Sequence, residues 1–412
     1  MGEELALPAP LPMTPSLSQP KHKLRVPRPK KGRVRLLVGT RKGAFVVGSD
    51  AERKDFDVVC TEGLGAIVHH VVADPRAPKR VIMTALDPEH GAHVRYSDDG
   101  GRTFKVSRKP PVFGEAAEGL QQRRVHHIFW LSPGHAQEPG VWYAGTSPQG
   151  LFRSRDAGRT WRPVAGLNNH ALLDRWTGGD QDNTPDGPTL HSIRVDPRDA
   201  EHIYVALSAG GVLETHNAGR TWSPVNLGTV RSFEERDEKL EGVEQEFGQD
   251  PHLLVMAGTD PDRLWQQGRT GVYRMDREEG HWHWLGANFP KGVDDVGFAI
   301  LSHPRDPDGA WVFPLDGSRA WSRTAPKGQP GLYRTQDGGE KWTRQDRGLP
   351  RSHAYWSVKR QALAQDAHDP LGVYVGTSQG EIWGSLNEGR SWRCLARHLP
   401  EIYSLEVAGV TS

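Results

Sequence analysis

One side chain with acid–base and ligand chemistry recurs at a fixed place in this sequence. His69, His127, His191 and His252 each stand six residues before a turn residue, at Pro75, Pro133, Pro197 and Gly258 respectively. The same offset puts Phe298 before Pro304 and Arg360 before Asp366. Neutral imidazoles converging from several strands are donors for a transition metal such as iron, zinc or copper, whereas protonated ones would hold an anion. A polar ring in which the histidines satisfy one another and water is the plainer alternative, and the sequence leaves the three open. The neighbours His70 and His126 are offset by one residue, so on strands they face the other way, into packing.

Other candidates lie on the segments leading to these positions. Glu244, Glu246 and Gln249 closely precede His252, and a carboxylate there could orient an imidazole or act as a base. Trp176, Asp180, Asp182 and Asp186 precede His191, and Tyr355 and Trp356 precede Arg360. A further segment, Asp316–Gln329, carries Arg319, Trp321 and Arg323. Aromatic and arginine side chains around a pocket mouth suit a sugar ring, an aromatic ring or a carboxylate. The spacing Asp180-x-Asp182-x-x-x-Asp186-Gly187 faintly resembles a calcium loop without the full order of one. The sequence has no phosphate-binding loop, no paired CxxC elements and no Gly-x-Ser-x-Gly elbow.

The elements that must position these residues are announced by a second repeat. Its clearest copies begin at Ser97 and Ser154, and three more begin at Thr215, Thr335 and Ser385, in the pattern Ser/Thr-x-Asp/Asn-x-Gly-x-Thr-Trp. Successive starts are 57, 61, 120 and 50 residues apart, and 120 is two periods. Units of about 60 residues, each with a hairpin signature, define a repeat architecture. The Asp or Asn can accept backbone N–H groups in the turn, the Gly supplies a positive φ, and the aromatic residue starts an outer strand. These aspartates are therefore structural. Each unit divides into four short strands, and the predicted fold is an all-β, seven-bladed propeller over residues 33–412.

Two leftover segments complete the ring. Residues 34–60 supply three strands without an inner one, and residues 402–409 supply an inner strand with nothing after it. Joined, they make a blade from both chain ends and remove the free sheet edges. An inner strand lines the central channel, so one equivalent position per blade forms a ring, to which the closing strand adds Tyr403 or Ser404. The long connections 108–124, 165–189, 226–251, 286–297 and 346–357 all lead into inner strands and share a face with that ring. The repeat hairpins occupy the other face.

Composition sets the remaining limits. Lysine plus arginine, 52, nearly balances aspartate plus glutamate, 51, which argues against nucleic acid as a partner. No apolar run approaches a membrane span. Residues 1–32 read as a disordered leader with a basic run from Lys21 to Arg35. Two cysteines, Cys60 and Cys394, make no disulfide framework, and a reduced cytoplasmic protein is expected.

The octapeptides resemble the Asp-box, or BNR repeat, of sialidases, sortilin-type receptors and photosystem II assembly factors. More closely, VGTRKGAF (38–45), HHVVADPR (69–76), LFRSRDAGRTW (151–161), LHSIRVDPRD (190–199) and EFGQ (246–249) are similar to bacterial sialidase-like, seven-bladed "glycosyl hydrolases". The resemblance implies the propeller more than a reaction. Sialidases add an Arg-Ile-Pro element and an arginine triad, and this sequence has no Arg-Ile-Pro.

Three functions follow as expectations. The first is an enzyme processing a small molecule by hydrolysis, elimination or oxidative cleavage. In it His69, His127, His191 and His252 are metal ligands, Glu246 is a base or orients a ligand, and Arg360 clamps an anion. Phe298, Gln249, Asp180, Trp176, Arg319, Trp321, Tyr355 and Trp356 then form the binding surface. That layout is similar to the four-histidine iron site of carotenoid-cleaving oxygenases. The second is a non-catalytic propeller binding a protein partner on its loop-rich face. The third is a glycoside hydrolase using two carboxylates of that face, with Glu246 and Asp180 as candidates.

Overall fold

The computed structural model describes residues 32–115, 122–176, 187–237, 246–316 and 323–408. Seven four-stranded antiparallel sheets follow one another around a ring. Blade one pairs the last strand, Ile402–Ala408, with Arg35–Thr40, which continues through Gly43–Ser49 to Phe56–Glu62. The other inner strands are Val71–Asp74, His127–Pro133, Leu190–Val195, Pro251–Met256, Gly297–Ser302 and Leu363–Gln365, in blades two to seven. The chain ends thus close the ring as the leftover strands require. Among the described residues no helix is long and apolar enough to cross a membrane.

In five of the seven blades the octapeptide turns hold the third and fourth strands together. In the copy at Ser154, the Asp156 carboxylate accepts the backbone N–H of Thr160 at 2.8 Å and its hydroxyl at 2.8 Å. Ser154 Oγ accepts the N–H of Gly158, whose φ of 83° is open to glycine at little cost. The copies at Ser97, Thr215, Thr335 and Ser385 repeat the Ser/Thr-to-Gly bond. Trp161, Trp222, Trp342 and Trp392 follow these turns into the core, each at most 5% exposed. Removing one such ring would cost about 3–5 kcal/mol by the usual scale for buried tryptophan.

A second device ties neighbouring blades. Asp74 chelates the Arg76 guanidinium through Nε and Nη2, and Arg76 reaches into blade three to the carbonyls of His135, Glu138 and Val141. Asp196 and Arg198 repeat it between blades four and five, where Arg198 grips Asp262 with two bonds of 2.9 and 2.7 Å.

Two details go beyond the four-strand pattern. The inner strand of blade seven is confined to Leu363–Gln365, because Lys359–Ala362 form a turn that directs Arg360 and Gln361 inward. The connection 165–189 carries two short helices, Ala165–Asn168 and Leu173–Trp176.

Candidate functional site at the propeller hub

The inner strands do not run straight into the hub. Each of five has one extra residue relative to its partner strand: Tyr403 in blade one, Phe129 in blade three, His191 in blade four, His252 in blade five, and the Phe298–Ala299 pair in blade six. In blade two, Ile67 pairs with Leu86 and Val71 with Met83, so a residue is again in excess between them. There Thr84 Oγ1 accepts the N–H groups of both His69 and His70. A β-bulge leaves its extra residue outside the ladder and re-aims that side chain. Here the bulges turn one ring per blade toward the axis.

The aimed rings touch in sequence around the hub. Tyr403 stacks on His69 at 5.1 Å between centroids, and His69 on His127 at 4.4 Å. Phe129 lies 5.9 Å from both His69 and His191, His191 lies 6.2 Å from His252, and His252 lies 5.0 Å from Phe298. Blade seven supplies the closing member, Arg360, whose guanidinium sits 4.9 Å from the Phe298 ring and 5.8 Å from Phe129. Gln361 beside it donates to Phe129 O across the axis at 2.8 Å. Side chains of different blades thus meet across the axis.

A carboxylate stands between two of the histidines. Asp250 lies 3.4 Å from His191 Nε2 and 3.6 Å from His252 Nε2. Ser208 Oγ shares a 2.7 Å hydrogen bond with the same His191 nitrogen. His252 Nδ1 donates to Gly297 O at 2.7 Å, which leaves its Nε2 facing the carboxylate. Burial, followed by the Arg360 charge, pushes His191 down to about 4, and burial lowers His252 as well. Burial alone would raise Asp250, but its two imidazole neighbours hold it well below the usual carboxylate range. Burial thus works against charge on the two imidazoles, while their contacts with Asp250 favour its charged form. The Asp250 side chain keeps 13% of its surface exposed.

The hub histidines do not gather three ligand atoms in one place. Among the described residues, the groups with three ligand atoms all within 4.8 Å of one another include none of the hub histidines. The positive guanidinium of Arg360 already stands at the hub, and its charge reaches both His191 and His252.

The site residues expected from sequence do not all stay together. Phe298, Arg360 and the four histidines come together, and Arg323 joins them with its guanidinium 5.6 Å from the Phe298 ring. Trp176 and Trp356 instead belong to the core, at 1% and 4% exposure. Trp176 stacks on His170 and Trp356 on Trp383, because rings that large are better buried than left at a mouth. Tyr355 is exposed, and Gln249 is buried with its carbonyl accepting Gly211 N–H. Glu246 is exposed, and its backbone carbonyl accepts from Asn226. Asp180, Asp182, Asp186, Glu244, Arg319 and Trp321 lie outside the described residues. His70 packs as expected, its Nδ1 accepting Leu131 N–H at 3.0 Å, whereas His126 is exposed.

Asp250 and Phe129 were missed. Asp250 lies two residues before the aligned histidine and belongs to no motif; a carboxylate so near a ring position is the signal available. Phe129 escaped because the bulge of blade three falls two residues later than the offset of six implies.

Fold and site together define a seven-bladed β-propeller with a buried acid–base cluster at its hub. No protein-family model matches the chain. It is 26% identical over 299 residues to an oligoxyloglucan-reducing end-specific xyloglucanase of Emericella nidulans, covering 66% of this chain and 33% of that protein. A probable enzyme of the same name from Neosartorya fischeri is 24% identical over 355 residues, covering 78% and 38%. The chain thus spans about a third of the length of these curated relatives. Among solved structures, the GH74 xyloglucanase of Xanthomonas campestris superposes with a TM-score of 0.60 at 19% identity, covering 91% of this chain and 56% of that one. At that identity the likeness shows the fold.

Proposed function

We propose that this propeller is a glycoside hydrolase acting on an oligosaccharide of the xyloglucan class, held on the loop-rich face over the hub. The observation that carries the reading is the 26% identity over 299 residues with a xyloglucanase. The hub chemistry agrees with it. Hydrolysis of a glycosidic bond needs one ionised carboxylate and one carboxyl that donates a proton. Asp250 fits the ionised role, since its neighbours keep it charged. Phe298 and Tyr403 offer ring faces to a pyranose, and Arg323 offers donors to its hydroxyls.

The test uses the whole chain with xyloglucan oligosaccharides, following new reducing ends and, separately, binding by calorimetry. Asp250→Asn is expected to lower kcat by about 100-fold or more while leaving affinity within about threefold. Turnover unchanged in Asp250→Asn would remove that residue from the reaction. Binding without any turnover would leave a carbohydrate-binding propeller and reject hydrolysis, and neither binding nor turnover would overturn the reading.

A further inference from the structure

Away from the hub, at the end of blade four where the octapeptide turns lie, three donors converge. His202 precedes the strand Ile203–Leu207, Glu214 lies on the paired strand Gly211–Thr215, and His216 follows it. Their ligand atoms all lie within 4.8 Å of one another. His202 Nε2 and His216 Nε2 both face the same Glu214 oxygen, at 3.1 and 3.4 Å, with the two imidazoles stacked at 4.2 Å. On its far side His202 Nδ1 meets Asp196 Oδ2 at 3.3 Å.

We propose that His202, Glu214 and His216 form a zinc site, with the Asp196 carboxylate orienting His202 as its outer partner. Two histidines and one carboxylate are a common ligand set for zinc, with a fourth position left to solvent. The carboxylate on the second nitrogen of a ligating histidine fixes its tautomer and raises its basicity. His216 is 54% exposed, so an ion has a way in, while His202 is 1% exposed and held rigidly.

The surrounding charges favour a cation. Asp196, Glu214 and Asp262 are three carboxylates, and Arg198 and Arg277 are the two guanidinia bound to them, so with neutral histidines the group carries one net negative charge. Arg277 approaches Asp196 rather than the ligand nitrogens, at 3.4 Å. The other three-donor group, Asp87, His90 and His93, lacks this opening: Arg95 donates to His93 Nε2 at 3.0 Å and to Asp87 at 3.1 Å, so a fixed cation already fills it. The proposed ion would sit beside the Arg198 clasp between blades four and five and brace it.

The full chain, stripped with a chelator and dialysed, is titrated with Zn2+ by calorimetry, and bound zinc is counted after gel filtration. One zinc per chain is expected, with a higher thermal midpoint in its presence. His216→Ala, an exposed change outside the turn's hydrogen bonds, and Glu214→Gln should each weaken binding by about tenfold or more and abolish the midpoint shift. Asp196→Asn should weaken it by about 10–100-fold. His90→Ala is the control and should leave affinity within about twofold. Absence of stoichiometric binding, or binding that survives both His216→Ala and Glu214→Gln, overturns the site and leaves an ordinary network of protonated histidines and carboxylates.

Discussion

Asp250 owes its chemical character to His191 and His252, on which the Arg360 charge acts in turn, and of these only His252 is close to it in sequence. His191 comes from blade four and Arg360 from blade seven, and only the closed ring brings them within range. The histidines themselves were legible, since a constant offset from a turn survives in any blade that keeps its length. The acid was not, because its environment is made by tertiary contact rather than spacing. The cluster gives the molecule a pH dependence with a definite sign. His191 titrates near 4 in the folded chain, where burial disfavours its charge, and near 6.5 when unfolded. Below the unfolded value the unfolded chain binds the additional proton, so this residue's contribution weakens as pH falls from about 6.5 to 4. The loss between pH 7 and 5 amounts to roughly 2 kcal/mol at this one position. His191→Gln should therefore flatten the fall in unfolding free energy over that interval. Equal slopes for the two proteins in urea titrations at pH 7 and pH 5 would contradict it.

At the scale of elements, the octapeptide hairpins were readable because their hydrogen bonds are local: Asp156, Ser154, Gly158 and Thr160 all lie within one turn. The inner-strand bulges were unreadable for the opposite reason. One extra residue in a strand has meaning only against the pairing partner, and the sequence does not display register. This is why His127 was aligned with His191, while Phe129 carries the bulge in blade three. The Asp-Pro-Arg segment at Asp74 lies between these cases. Its residues stood out in sequence, but their work, a guanidinium spread over three carbonyls of the next blade, needs the neighbour in place. Lysine keeps the charge and loses the fork. Arg76→Lys should cost about 2 kcal/mol of stability, through the lost hydrogen bonds, without altering hub chemistry. Thermal unfolding and an oligosaccharide-binding titration check the two halves. An unchanged midpoint would mean that the clasp is replaceable, and weakened binding would mean that the hub depends on it.

At the scale of the molecule, the ring closes where blade one meets blade seven, and a buried ion pair supplements the apolar cluster that the two blades share. Beyond the strand pairing of Arg35–Thr40 with Ile402–Ala408, blade one is fastened to blade seven by Arg53. Its guanidinium meets the Asp366 carboxylate at 2.8 Å, with the two side chains 11% and 1% exposed, and Arg393 donates to its backbone carbonyl at 2.7 Å. Asp366 also accepts from Tyr374 and from the backbone of His368 and Gly372. Burial would raise this carboxyl, but those donors and the Arg53 charge outweigh it and hold it below its ordinary value. A lowered carboxyl contributes stability above its unfolded pKa and loses it as pH falls through the folded one. Removing the guanidinium leaves a buried anion with less compensation, a change that typically costs about 3–5 kcal/mol. Arg53→Ala should therefore unfold at lower urea than the parent, and acidification toward pH 4 should narrow the gap, because the stranded carboxylate is relieved once it takes up a proton. Arg53→Ala tests closure in particular because Arg76→Lys weakens a contact between consecutive blades, whereas the Arg53 contact joins segments 313 residues apart. Proteolysis beginning at the blade one–blade seven seam of Arg53→Ala, before other blades are cut, is the expected pattern. Uniform cleavage around the ring would show that stability is shared evenly and that the seam has no special role.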